Sequence, residues 1–259
     1  VGKKITFKNK NYSIIGLSDF DFGKVKLAFF SAGSSIAEKW APIAAKKTIV
    51  IDNSKYFRMD KEIPLVVPEV NSDALKLYKN KNIIANANCS TIQLVLALKP
   101  LHDQFKIKRV IVSTYQSVSG AGKVHMNELE EQSKLVLEKQ KVNSKNFTKQ
   151  IAFNVIPHID SFMQDGSTKE EWKMTVETKK ILDPNIALTS TCVRVPVFVG
   201  HSESVNIEFK SEINLEKIRQ CLANAPGCKV HDERKDGGYI TPVESAGDFI
   251  TYISRIRED

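Results

Sequence analysis

Short β-rich runs at residues 3–7, 25–30, 48–51 and 83–85 are separated by turn signals and by stretches long enough for helices. Strands that alternate with helices select a parallel α/β sheet, and in such sheets ligands gather at the carboxyl ends of the strands. Polar segments follow three of these runs: Ser31-Ala32-Gly33-Ser34-Ser35, Asp52-Asn53-Ser54 and Asn88-Cys89-Ser90. Any one of them is ordinary turn chemistry. Their recurrence at successive strand ends points to a binding edge.

The last of these turns leads from the apolar run 83–85 into a helical pattern, with Cys89 at the junction. The free N–H groups and positive dipole end of a helix favour an anion, so a thiol placed there ionises more readily than an ordinary one. That makes Cys89 a candidate nucleophile, the alternative being a small buried hydrophobe. The other cysteines, Cys192, Cys221 and Cys228, form no C-x-x-C pair and no zinc-like set with the histidines. Neither a disulfide framework nor a metal site is expected.

At 259 residues and 42% hydrophobic content, the chain can build a large core or two modest domains. Its formal charge of +8 is spread along the sequence in short doublets such as Lys46-Lys47 and Lys179-Lys180. That distribution reads as a solvated basic surface able to attract phosphorylated or carboxylated small molecules, and no nucleic-acid partner is expected. No apolar run is long enough to cross a bilayer and the opening residues lack an apolar signal region, so the expectation is a cytoplasmic protein without a membrane partner.

Beyond Cys89 the pattern predicts a helix over 92–101, a strand over 109–115, a Gly- and Ser-rich segment over 116–122, and a charged helix over 126–141. Residues 142–150 read as a loop, and a helix over 170–181 follows the turn Asp165-Gly166-Ser167. Two β-rich runs, 188–199 and 204–210, flank Gly200-His201-Ser202-Glu203, and a last helix covers 215–224.

Several segments then combine into one collinear set: Phe30 to Ser35, Asp52 to Arg58, Pro64 to Asn71, Asn88-Cys89-Ser90-Thr91-Ile92-Gln93, Ser113 to Gly122, Ile151 to Asn154, Glu170-Glu171-Trp172-Lys173-Met174, Cys192 to Pro196, and Gly200 to Glu203. In these the chain resembles aspartate-β-semialdehyde dehydrogenase of the bacterial kind. The resemblance implies a partial doubly wound, Rossmann-like nucleotide domain over 1–88 and an α+β catalytic and dimerisation domain with a mixed sheet over 89–259. It also implies NADP as cofactor, with aspartate semialdehyde and phosphate interconverted with β-aspartyl phosphate, a step in lysine, diaminopimelate, threonine and methionine biosynthesis. A homodimer, or a tetramer, is the implied assembly.

Residue by residue, the resemblance makes Cys89 the nucleophile that forms a thioester and His201 its general acid or base. A surface histidine in the turn after Gly200 is the competing view. Gln116 would orient the substrate or thioester, where a polar filler is the alternative. Arg194 would grip the substrate carboxylate with its planar fork, against a structural ion pair. Glu170 and Lys173 share a helix face as an i,i+3 pair; the resemblance assigns the first to the substrate ammonium and the second to phosphate, with Arg58 and Asn88 completing the phosphate site. Ser31, Gly33, Ser34 and Asn53 would bind NADP on one side, and Ser119, Gly120 and Gly122 would lie near the nicotinamide.

The chain departs from the family pattern in four places. It shows no Gly-rich phosphate loop before residue 30, and no terminal segment after Asp259 returning to the nucleotide domain. Ala87 stands where the family carries Pro, and residues 142–150 are shortened. Two rivals follow: a catalytically inactive fragment that keeps the dimerisation surface, and a related N-acetylglutamyl phosphate reductase. The Glu170/Lys173 pair argues against the second, because an acetylated amine needs no carboxylate partner.

Overall fold

The computed structural model describes residues 1–259. In chain order its strands and α-helices are β1 (Lys4–Phe7), β2 (Lys10–Ser13), β3 (Leu27–Phe30), α1 (Ser34–Ala45), β4 (Ile49–Asp52), β5 (Leu65–Val66), α2 (Pro68–Asn71), β6 (Ile83–Asn86), α3 (Cys89–Phe105), β7 (Ile107–Gln116), α4 (Lys123–Leu137), α5 (Lys169–Ile181), β8 (Ala187–Arg194), β9 (Ser202–Phe209), α6 (Leu215–Ala223), β10 (Cys228–Val230), α7 (Pro242–Ser245) and β11 (Thr251–Ile253). They divide into two units, residues 1–64 with 75–86 and residues 65–74 with 87–259. No helix is long and apolar enough to cross a membrane.

In the first unit β3, β4 and β6 lie parallel, in the register Phe30 beside Asp52 and Asp52 beside Ala85. This is the α/β arrangement that the alternating pattern predicts. The run at 3–7 does not join it. Lys4–Phe7 instead pairs antiparallel with Lys10–Ser13 in an exposed hairpin. Its two-residue loop, Lys8-Asn9, takes φ of 47° and 62°. Such primed turns match strand twist but favour Asn and Gly, so a Lys-Asn loop gave little warning.

In the second unit β7 lies between β8, parallel to it, and β9, antiparallel to it, making a mixed sheet. Leu94, Leu98, Leu101 and Phe105 line one face of α3 and share a core with Val110 and Val112 of β7 and Met174 of α5. Their 4-3-4 spacing is the helical period, while β7 buries alternate residues. The strand over 188–199 stops at Arg194 because Pro196 has no N–H for the ladder. Beyond it Val197 and Phe198 still accept backbone bonds from Val118 and Ser119. Residues 142–150 form no regular element, and Glu128 of α4 holds their middle by accepting from the backbone N–H groups of Lys145 and Asn146.

Candidate active site

The inward-facing series of β7, Val110, Val112 and Thr114, ends with Gln116, 1% exposed. Gln116 lies beside Arg194 at the end of β8, and Tyr115 lies beside Ser202 at the start of β9. The parallel and antiparallel pairings together bring Gln116, Arg194 and the Gly200-His201 turn to one edge of the sheet.

Cys89 is the first residue of α3, three positions ahead of the predicted start, because Asn88 caps the helix there. Asn88 Oδ1 accepts from the N–H groups of Ser90 at 2.9 Å and Thr91 at 3.4 Å. Its own N–H donates to Glu177 Oε2 at 2.6 Å, and its Nδ2 donates to Glu170 Oε1 at 2.9 Å. With the residue before it held on three sides, Cys89 remains exposed, its Sγ 3.2 Å from His201 Nε2. The other thiols are poor nucleophiles by comparison: burial pushes Cys192 up to about 12, and burial with Glu69 nearby pushes Cys228 up to about 11.

The far nitrogen of the imidazole, Nδ1, receives the backbone N–H of Ser117 at 3.0 Å and lies 3.0 Å from Ser117 Oγ. That hydroxyl is 3.0 Å from Ser119 Oγ. The carbonyl of Ser117 accepts from Arg194 Nη1 at 2.6 Å, so one residue holds both the imidazole and the guanidinium. Burial, with the Arg194 charge adding to it against the pull of Glu170, lowers His201 to about 4. Gly120 packs so closely that a Cβ there would lie 3.1 Å from His201 Nε2 and 3.4 Å from Arg194 Nη1.

Glu170, in the first turn of α5, is the hub of the polar cluster. Its carboxylate meets Lys173 Nζ at 2.5 Å and accepts from Asn88 and, at 3.4 Å, from Gln116. Lys173 also reaches Asp160 at 3.2 Å. Burial works against charge on both residues, but the pair and its hydrogen bonds prevail, holding Glu170 below and Lys173 above the ordinary value. Both are therefore ionised at neutral pH. The helix start is fixed by a capping box between Thr168 and Glu171, and Glu171 Oε1 also accepts from the N–H of Cys192 in β8.

In the first unit Ser31, Gly33 and Ser34 lie where β3 hands over to α1, and Asn53 follows β4. Asn53 Nδ2 approaches Ser31 Oγ at 3.5 Å and Asn53 Oδ1 accepts from Asn86. Gly33 caps α1 at φ 90°, with no side chain bonded to the first N–H groups and open space where a Cβ would stand. Such a turn suits a nucleotide's phosphate or ribose. The buried Arg58 donates to the carbonyls of Asn53 and Ser54. In the second unit Gly122 caps α4 at φ 96°, again without a side-chain cap or a crowding neighbour.

Sequence reasoning missed Ser117, Asp160, Glu177 and Glu203. Glu203 takes a proton more readily than an ordinary carboxyl: burial pushes it up to about 8 against a hydrogen bond from Gln93, and its Oε1 has no partner. Glu177 had a usable signal. It stands on the α5 stripe of Glu170, Met174 and Ile181, whose spacing marks the buried face.

Residues 1–78 match the family model of the semialdehyde dehydrogenase NAD binding domain, and residues 98–259 match that of the semialdehyde dehydrogenase dimerisation domain. The chain is 50% identical to an aspartate-semialdehyde dehydrogenase of Aquifex aeolicus over 262 aligned positions, covering 100% of this chain and 77% of that protein. The chain belongs to the aspartate-semialdehyde dehydrogenase family. A Shewanella relative of the same description is 48% identical at the same coverage. The crystal structure of aspartate semialdehyde dehydrogenase II from Vibrio cholerae superposes with a TM-score of 0.96 at 46% identity, over 100% of this chain and 77% of that one. The structure of that enzyme complexed with ASA superposes at 0.92, over 95% and 73%. As a member of this family the chain is an oxidoreductase of amino-acid biosynthesis with an NAD(P)-binding domain and a dimerisation domain.

Proposed function

We propose that the protein interconverts aspartate 4-semialdehyde plus phosphate with 4-phosphoaspartate through a thioester on Cys89, using NADP, in the pathway to lysine, diaminopimelate, threonine and methionine. The observation that carries this reading is the exposed Cys89 thiol at the capped start of α3, 3.2 Å from His201 Nε2. Attack by the thiolate on the aldehyde carbon makes the carbon–sulfur bond, and phosphate later breaks it. NADP, when bound, supplies the nicotinamide that exchanges hydride with the substrate carbon.

The chain's own side chains divide the remaining work. Arg194, held by the Ser117 carbonyl, presents its guanidinium to the substrate carboxylate, and Glu170 takes the ammonium. Gln116 orients the acyl group, and Lys173, Arg58 and Asn88 serve phosphate. Ser31, Gly33, Ser34 and Asn53 hold the nucleotide; Ser119, Gly120 and Gly122 lie along the nicotinamide. The assembly in this reading is a homodimer, supported by the dimerisation-domain match and by the outer face of the mixed sheet, where Ile111 and Tyr115 stand exposed. A cytoplasmic setting suits a free reactive thiol.

The test is NADPH formation from aspartate semialdehyde, phosphate and NADP, with NAD as the comparison, together with intact mass spectrometry of enzyme quenched during turnover. A covalent adduct on Cys89, and at least a roughly thousandfold loss of rate in Cys89→Ala, are expected. Equal turnover by the alanine variant would remove the thioester.

A further inference from the structure

We propose that Asp160 is a positioning residue: it anchors the Lys173 ammonium as a second carboxylate beside Glu170, so that the remaining N–H of that ammonium is fixed in direction for phosphate. The inference deepens the proposed function and rests on its assignment of phosphate to Lys173.

An ammonium carries three hydrogens on a flexible four-carbon stem. Lys173 Nζ meets Glu170 at 2.5 Å and Asp160 Oδ2 at 3.2 Å, which commits two of them. Glu170 stands three residues back on the same helix, so an ammonium tethered only there keeps its freedom to turn about one contact. A second carboxylate, from another segment, removes that freedom and sets where the third hydrogen points. This is no loose surface contact, because the side chain of Lys173 is 10% exposed and that of Asp160 25%.

The backbone is built to bring Asp160 there. Ile156 and Arg194 exchange both backbone hydrogen bonds, at 2.9 and 2.8 Å, which pins one end of the segment to the tip of β8. The N–H of Lys169 donates to the carbonyl of Ser161, and Phe162 bridges to Thr168, which pins the other end to the start of α5. Between the two pins Asp160 takes φ of 67°, in the left-handed region that few residues other than glycine adopt. Its Oδ1 accepts from the N–H of Ser161 at 2.9 Å while Oδ2 accepts from Lys173. One short segment thus ties the group proposed for the substrate carboxylate to those proposed for its ammonium and for phosphate.

Charge and position have opposite consequences at this point. A carboxylate near a bound anion repels it, so loss of the Asp160 charge by itself would strengthen the hold on phosphate. A weaker hold after that loss therefore comes from a displaced ammonium.

The experiment is steady-state kinetics of Asp160→Gly, in which glycine accepts the left-handed turn, beside a single-turnover burst of NADPH measured without phosphate. The KM for phosphate should rise roughly 10-fold, while the KM for aspartate semialdehyde stays within about twofold of the wild type. The burst, in which Cys89 takes up the acyl group before phosphate is needed, should match the wild type. Asp160→Asn keeps the turn and an oxygen for the ammonium, and should restore most of the phosphate KM. An unchanged or lowered phosphate KM in Asp160→Gly, or equal losses in both KM values and the burst, would overturn the proposal. Should the glycine variant not fold, Asp160→Ala is read in its place. Lys173→Met separates this proposal from the reading beneath it: an unchanged phosphate KM there would remove phosphate from Lys173, whereas a raised one beside a normal Asp160→Gly would remove only the positioning role.

Discussion

Glu177 Oε2 accepts the backbone N–H of Asn88 at 2.6 Å, joining the middle of α5 to the residue that immediately precedes the candidate nucleophile. Both residues are buried, at 1% and 6% exposure, so water is a poor substitute for the bond. Glu177→Ala would leave a buried N–H without its acceptor, at a cost of about 1–3 kcal/mol. Glu177→Gln retains a carbonyl acceptor and should lose less. Thermal melts and the rate of Cys89 alkylation check this together: the alanine variant should melt lower and alkylate more slowly. Wild-type behaviour in both would show that the bond does not hold the turn.

The contrast between Glu177 and Cys89 shows what a single sequence exposes. Cys89 announces itself through local grammar, an apolar strand, a polar turn and a helix start. His201 and Arg194 became legible only through resemblance, because their value depends on β8 and β9 flanking β7, a pairing that leaves no local trace. Ser117 acts through its backbone, which no side-chain pattern encodes. The hairpin of β1 and β2 was lost for a related reason: its strands are exposed throughout and carry no buried face to set a period. The parallel strands β3, β4 and β6, whose apolar runs alternate with helices and turns, were the readable part.

Gly120 tests how closely the loop must approach His201 and Arg194 if they act as proposed. A Cβ there would sit 3.1 Å from His201 Nε2, 3.2 Å from Cε1 and 3.4 Å from Arg194 Nη1, so the imidazole or the guanidinium must move by tenths of an ångström. Gly120→Ala should keep the fold, with stability changed by only about 0.5 kcal/mol, yet lower kcat by roughly 10- to 100-fold. Steady-state kinetics beside a thermal melt separate the two effects. A full-rate alanine variant would show that the pair tolerates displacement.

The buried Glu170–Lys173 pair predicts a two-sided pH profile of stability. Against the desolvation of both groups, their mutual attraction holds Glu170 below its ordinary value and Lys173 above its own. The Glu170 contribution is present above the unfolded carboxyl value and is lost as pH falls through the lower folded value; that of Lys173 is present below its unfolded value and is lost as pH rises through the higher folded one. Glu170→Gln breaks the pair and should cost about 3–5 kcal/mol at neutral pH. It should also flatten the acid limb in urea titrations below about pH 4.5. An acid limb identical to that of the wild type would remove Glu170 from the account.

Glu203 gives the opposite slope. Burial pushes its carboxyl to about 8, against the hydrogen bond from Gln93. Between its ordinary value of 4.5 and about 8, the folded chain holds a proton that the unfolded chain has released. Folding thus becomes less favourable as pH climbs through that window, and the penalty levels off above it. Glu203→Gln reproduces the protonated form, keeps an oxygen for the Gln93 amide and cannot ionise. Near pH 4.5 its urea midpoint should lie close to that of the wild type; by about pH 8 it should lie well above it. Parallel pH profiles for the two proteins would mean that Glu203 ionises as freely in the fold as outside it, and that the interior beside Gln93 is wetter than its geometry implies.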